Sequence, residues 1–113
     1  MMEPETNAGR VALEGTQTIR SVDEARARLL AALNDHPFVE IDCSAATEID
    51  ASIVQLIIAA RRSAAAAGKR LVLARPADGA LRDALTRGGF LPANPAGPWT
   101  DEETFWVRGS STT

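Results

Sequence analysis

The sequence predicts a single α/β domain built on a mostly parallel sheet, and three observations carry that expectation. Strand-like patterns alternate with helical ones of about ten to fifteen residues, the order that helical crossovers between parallel strands produce. At 113 residues the chain is a length that one hydrophobic core can organise. It is 45% hydrophobic and 24% charged, ordinary for a globular protein, and no repeat or low-complexity linker divides it.

Each element has its own signal. Residues 1–9 and 109–113 read as flexible tails around a domain over 10–108. Residues 10–14 alternate, with Val11 and Leu13 on one face, and Gly15 ends that strand. Ser21 followed three residues later by Glu24 is a capping-box signature. It opens a helix to about Asn34, with Leu29 and Leu33 inward and Arg26 and Arg28 in solvent. Asn34-Asp35-His36-Pro37 is turn chemistry. Residues 38–43 read as a central strand and 44–48 as a loop. A second helix runs from Ser52 to about Ala67, closed by Gly68. Residues 70–74 form a third strand, stopped by Pro76, and 77–87 a third helix closed by Gly88 and Gly89. Residues 91–98, rich in proline, are irregular. Residues 101–107 form a short last helix or strand, with Phe105 or Trp106 as a lid on the core.

Composition removes several classes of function. Twelve Lys and Arg against fifteen Asp and Glu leave a net charge of -3 and a pI near 5.1, unlike a non-specific nucleic-acid binder. Aromatic residues are only 4% and tyrosine is absent, so the core is aliphatic and a base-stacking platform is disfavoured. One Cys and one His supply neither an intramolecular disulfide nor a structural zinc site, and no cofactor is implied. The polar, acidic N-terminus is unlike a signal peptide. The longest apolar run, 53–60, is too short to span a bilayer and closes on Arg61 and Arg62. A cytoplasmic protein without direct membrane insertion is expected.

The segment that leads into the second helix is the most informative. At about 100° per residue, Ile53, Ile57, Ala60 and Ala64 fall on the core side, with Ser52, Gln55 and Arg62 roughly opposite. Val54 and Ile58 lie on a flank beside Arg61, expected to be apolar and partly exposed. That flank is either a partner-binding surface or the seat of the irregular C-terminal segment. Ser52 lies where a helix N-terminus presents unpaired N–H groups and the positive end of the dipole. A phosphate there would be stabilised by the helix and repelled by Asp50 and Glu48. Serving as an N-cap is the plainer role.

Other features carry less. Ser63-Ala-Ala-Ala-Ala-Gly-Lys69-Arg70 echoes a phosphate-binding loop, yet Ser63 replaces its first glycine, Arg70 its hydroxyl residue, and the segment is helical. His36 reads as a turn residue, and no Gly-x-Ser-x-Gly elbow supports a triad of Ser52, His36 and an acid. Cys43 reads as a small buried residue, and Trp99 and Trp106 as core cover. The linear pattern brings no acid, base and nucleophile together, so a non-enzymatic protein is expected.

The order of Gly15, a helix, Asp42, Ile49-Asp50-Ala51-Ser52, a long helix, Gly68-Lys69-Arg70-Leu71, Leu81-Arg82-Asp83-Ala84-Leu85 and Gly89-Phe90 resembles a STAS domain. The resemblance spans roughly residues 11–90. It implies helices packed mainly on one face of the sheet, and a regulatory role like that of bacterial anti-sigma factor antagonists. In those proteins a serine in an Asp-Ser-Ser-Gly-like turn is phosphorylated by a partner kinase that is also an anti-sigma factor. That serine matches Ser52, and the turn aspartate matches Asp50. Ala51 stands where the preceding serine would be, and Ile53 where the glycine would be. The resemblance implies a protein partner held through the loop and second helix, with Val54, Gln55, Ile58, Arg61 and Arg62 as candidate contacts. The alternative is a constitutive scaffold subunit of a chemotaxis or lipid-transport complex without phosphorylation. A homodimer through the same flank stays open.

Overall fold

The chain folds in the order β1 (Ala8–Ala12), β2 (Gly15–Gln17), α1 (Val22–Asp35), β3 (Phe38–Asp42), β4 (Ala46–Ile49), α2 (Ala51–Ala66), β5 (Arg70–Leu73), α3 (Gly79–Arg87) and α4 (Asp101–Arg108). This is a computed structural model, and it describes residues 8–92 and 97–108. The expected tails therefore lie largely outside the described residues, as do 93–96 of the proline-rich stretch, and β1 begins at Ala8.

Strand alternation decides the layering. β1, β3 and β5 pair in parallel, in that order, with Val11 opposite Ile41 and Ile41 opposite Leu73. Successive side chains point to opposite faces, so Val11, Val39, Ile41, Leu71 and Leu73 share one face, and all are buried. Arg10, Glu40 and Val72 share the other, which stays open enough for Arg10 to donate to Glu40 at 3.2 Å and to Asp42 at 2.6 Å. The helices therefore cover mainly the apolar face. Ala25, Leu29 and Leu33 of α1 and Ile53, Ile57 and Ala64 of α2 close the core over it.

The sheet is more divided than the sequence predicts. β1 runs on into β2 and β3 into β4, and β2 pairs with β4 as a separate parallel pair. The register shifts between Gly15 and Thr16. Gly15 has a φ of 67°, a conformation glycine adopts without penalty, so the chain kinks there and resumes as strand. Gly15 thus starts β2 instead of ending a strand outright, and the expected loop 44–48 contains the start of β4.

Helix ends show which capping signals were real. Ser21 does not cap α1 with its side chain: its Oγ accepts from Thr18 N at 3.1 Å and donates back to the Thr18 carbonyl. The capping box forms at α4, where Thr100 N donates to Glu103 Oε1 and Glu103 N to Thr100 Oγ1. Beyond α2, Gly68 N bonds to Ala65 O and Lys69 N to Ala64 O, the paired bonds of a Schellman closure with Gly68 at φ 74°. Lys69 Nζ also donates to the Leu33 carbonyl, one of the last in α1 that the helix leaves unpaired. α3 starts at Gly79, two residues later than the sequence predicts.

The final segment is a helix, and Trp106 is its lid. Trp106 is 1% exposed and the largest buried side chain, and its carbonyl accepts from Ala77 N at 2.8 Å. Phe105 meets it edge to face at 4.9 Å. Trp99 is half-buried against the same core.

Candidate functional site

Where β4 ends, one carboxylate organises the turn into α2. Asp50 is the N-cap, and its backbone N–H donates to Gln17 O at 3.1 Å, extending the β2–β4 pairing by a step. Its Oδ1 accepts from Ser52 N at 3.0 Å and from Ser52 Oγ at 2.5 Å. Its Oδ2 accepts from Ile19 N at 2.9 Å. The cap is therefore Asp50, and Ser52 lies two positions inside the helix as a donor to it. Partial burial pushes the Asp50 carboxyl up. The hydrogen bonds from Ser52 Oγ and from the Ile19, Ile53 and Ser52 amides outweigh that and hold it below the usual carboxylate range. The group is a fixed anion at neutral pH.

The same carboxylate presents Ile19. This side chain is 65% exposed, more than any other large hydrophobic among the described residues. Its own amide is the one tied to Asp50, so this exposed residue stands on a loop whose backbone is pinned to the carboxylate that also binds Ser52. Ala51 and Gln55 are exposed on the same end of α2, and Ser52 is half-buried. Arg87 of α3 braces the turn from behind, its guanidinium donating to Ile49 O at 3.4 Å. Nothing in the linear pattern marks Ile19 except its isolation, one branched apolar residue between Thr18 and Arg20.

The structure separates residues that the sequence places on one flank. Val54 is 0% exposed, so the expectation that it is partly exposed does not hold. Helix α2 is packed by α1, α3 and β5 together, which widens its buried stripe beyond a single face. Ile58 is half-buried against the core, Arg61 lies over the Phe105 ring at 4.9 Å, and Arg62 pairs with Glu102 at 3.5 Å. Side chains of α4 thus meet Arg61 and Arg62. Ser52 and Gln55 remain with Ile19 at the other end, about 13 Å away along the helix axis.

The remaining candidates fall into structural places. The His36 ring packs against Gly9, where an added Cβ would lie 2.6 Å from the ring. Cys43 is half-buried, and desolvation, helped by the adjacent Asp42 charge, pushes its thiol up to about 12. Ser63, Ala64, Ala65 and Ala66 close α2 and Ala67 is its C-cap, so the segment echoing a phosphate loop is the end of a helix. Among the described residues no group of three or more His, Cys, Asp and Glu could hold a metal ion. No helix there is long and apolar enough to cross a membrane.

A family model described as "Mlab, STAS domain" matches residues 2–90. A solved structure titled "Crystal Structure Analysis of Mglu" is similar in fold, with a TM-score of 0.56 and 19% identity over 68% of this chain. That match covers 19% of the other, longer chain. No curated protein matches. A parallel sheet covered mainly on one face, an aspartate-capped second helix and a family match over most of the sequence agree: this chain belongs to the Mlab-type STAS domain family.

Proposed function

We propose that the chain is a non-enzymatic regulatory module of the cytoplasm that binds a protein partner through the N-terminal end of α2. The carrying observation is Ile19, an exposed apolar residue whose backbone amide is held by the same Asp50 carboxylate that binds Ser52. Singly exposed apolar residues are common. One whose backbone is held by a charged hydrogen bond at a helix N-terminus needs less loop ordering on docking, which lowers the entropic cost.

The same geometry supports a switch at Ser52. Phosphorylation replaces the hydroxyl proton that Asp50 now receives, and sets a doubly charged group against a carboxylate held ionised. The N–H groups of the first turn of α2 offset part of that repulsion. Asp50 is then drawn from its bond to Ile19 N, and the apolar contact loses its support. The partner that fits is a serine kinase of anti-sigma type, which makes the modification itself. Partner affinity falling in Ser52→Asp and kept in Ser52→Ala supports the switch; equal affinity in both refutes it.

One observation favours the scaffold reading instead. Ser52 is half-buried and its Oγ already donates to Asp50, as a purely structural serine would. In that reading the Ile19 end is permanently covered in a larger complex, and Ser52 is recovered unmodified from it.

A further inference from the structure

The opposite end of α2 carries a second feature, of different chemistry. An open groove of about 710 Å³ runs between α2, β5 and α4. Arg61, Lys69, Arg70 and Arg108 line it, against Asp101 as the one acidic lining residue. That concentration of cations is unexpected on a chain whose net charge is -3.

Two of these cations have aromatic neighbours. Arg61 Cζ lies over the Phe105 ring at 4.9 Å and Arg70 Cζ over the Phe38 ring at 5.6 Å, so an aromatic face attracts each guanidinium. Among the described residues the ion pairs use Arg10, Arg26 and Arg62, and none uses Arg61, Arg70 or Arg108. Lys69 is the exception, committed to the Leu33 carbonyl. Guanidinium forks beside aromatic rings and outside the ion pairs suit carboxylates, which they take bidentately.

Shape and charge narrow the occupant. The cations stand on three different elements along an open groove, which encloses a small molecule less fully than a ligand pocket does. An extended chain with carboxylates spaced along it is complementary in charge to cations distributed over α2, β5 and α4. We infer that this groove docks an acidic, extended polypeptide segment of a protein partner, independently of the Ser52 end of α2.

Fluorescence anisotropy of the full chain with a labelled peptide of alternating Glu and Val tests this, with the Lys and Val peptide as its control. The acidic peptide alone should bind, more weakly as salt rises. Arg70→Glu/Arg108→Glu should weaken it about tenfold or more, and the milder Arg70→Gln/Arg108→Gln pair several-fold. The equally charged change Arg28→Glu/Arg75→Glu, on exposed arginines elsewhere, should leave affinity within about twofold. Ser52→Asp should leave it unchanged, which separates failure here from failure of the switch. Amide shifts should concentrate in 70–73 and 101–108. No binding, equal loss in both charge-reversal pairs, shifts centred on Ile19 and Ser52, or binding to anionic vesicles in place of the peptide would each overturn the inference.

Discussion

Replacing Asp50 by Asn separates the two jobs of its carboxylate. The Asn carbonyl oxygen can take the place of Oδ1 and cap α2, since Asn and Asp cap about equally well. The amide nitrogen then takes the place of Oδ2 and faces Ile19 N, donor against donor, where a bond of 2.9 Å stood. Loss of one hydrogen bond to a charged, half-exposed acceptor is worth about 1 kcal/mol. Asp50→Ala removes the cap as well, worth about another 1 kcal/mol. At about 4 °C per kcal/mol for a domain of this size, the two variants should melt about 4 °C and about 8 °C below the wild type at neutral pH. The sign with pH is fixed by the depressed carboxyl. A folded-state pKa below the unfolded one contributes stability above the unfolded value and loses it as pH falls through the folded value. Wild type and Asp50→Asn should therefore converge in acid and differ at pH 7. Thermal melts across pH, with hydrogen exchange at the Ile19 amide, measure both effects. Asp50→Asn equal to wild type within about 0.3 kcal/mol at pH 7, with Ile19 exchange unchanged, would refute the reasoning.

Three further outcomes follow from packing and burial. Trp106→Ala should cost about 3–5 kcal/mol in urea unfolding, because it empties the largest buried side chain; a cost below about 1 kcal/mol would mean that α4 is not part of the core. Gly9→Ala should cost about 1–3 kcal/mol by driving a Cβ to 2.6 Å from the His36 ring, and His36→Ala should relieve it. Additive effects in that cycle would remove the contact as the cause. Cys43, its thiol pushed up to about 12, should react with iodoacetamide at pH 8 at least about a hundredfold slower folded than unfolded. Similar rates would place it in solvent.

The elements legible in the sequence were those with one dominant period. Val11 and Leu13, or Leu29 and Leu33, each have a single burial face, so strand and helix periodicity identify them directly. β4 was not legible because only Ala46 and Ile49, three residues apart, are buried, while Thr47 and Glu48 between them are exposed, which breaks the period of two. The burial of Val54 was missed for the opposite reason: three neighbouring elements pack on α2, and one stripe is too narrow a description. Ser21 and Glu24 match a capping box that does not form, whereas Thr100 and Glu103 match one that does. The two patterns are locally equal, and the Thr18 turn that captures the Ser21 hydroxyl decides between them. Of the site, the Asp50–Ser52 turn was readable from its resemblance to a known family. Ile19 was not, since only the tertiary bond to Asp50, 31 residues away, brings it to the helix.

Partner capture with paired surface variants tests the central claim most directly. Ile19 and Leu30 are both exposed apolar residues, at 65% and 54%, and Leu30 lies in the second half of α1. The full chain should retain the same stoichiometric partner as wild type when Leu30 is changed to Asp, and lose it with Ile19→Asp. Phosphosite mapping of the retained complex then reads Ser52 directly. Undiminished retention by Ile19→Asp, or equal loss with Leu30→Asp, would contradict docking at the N-terminal end of α2.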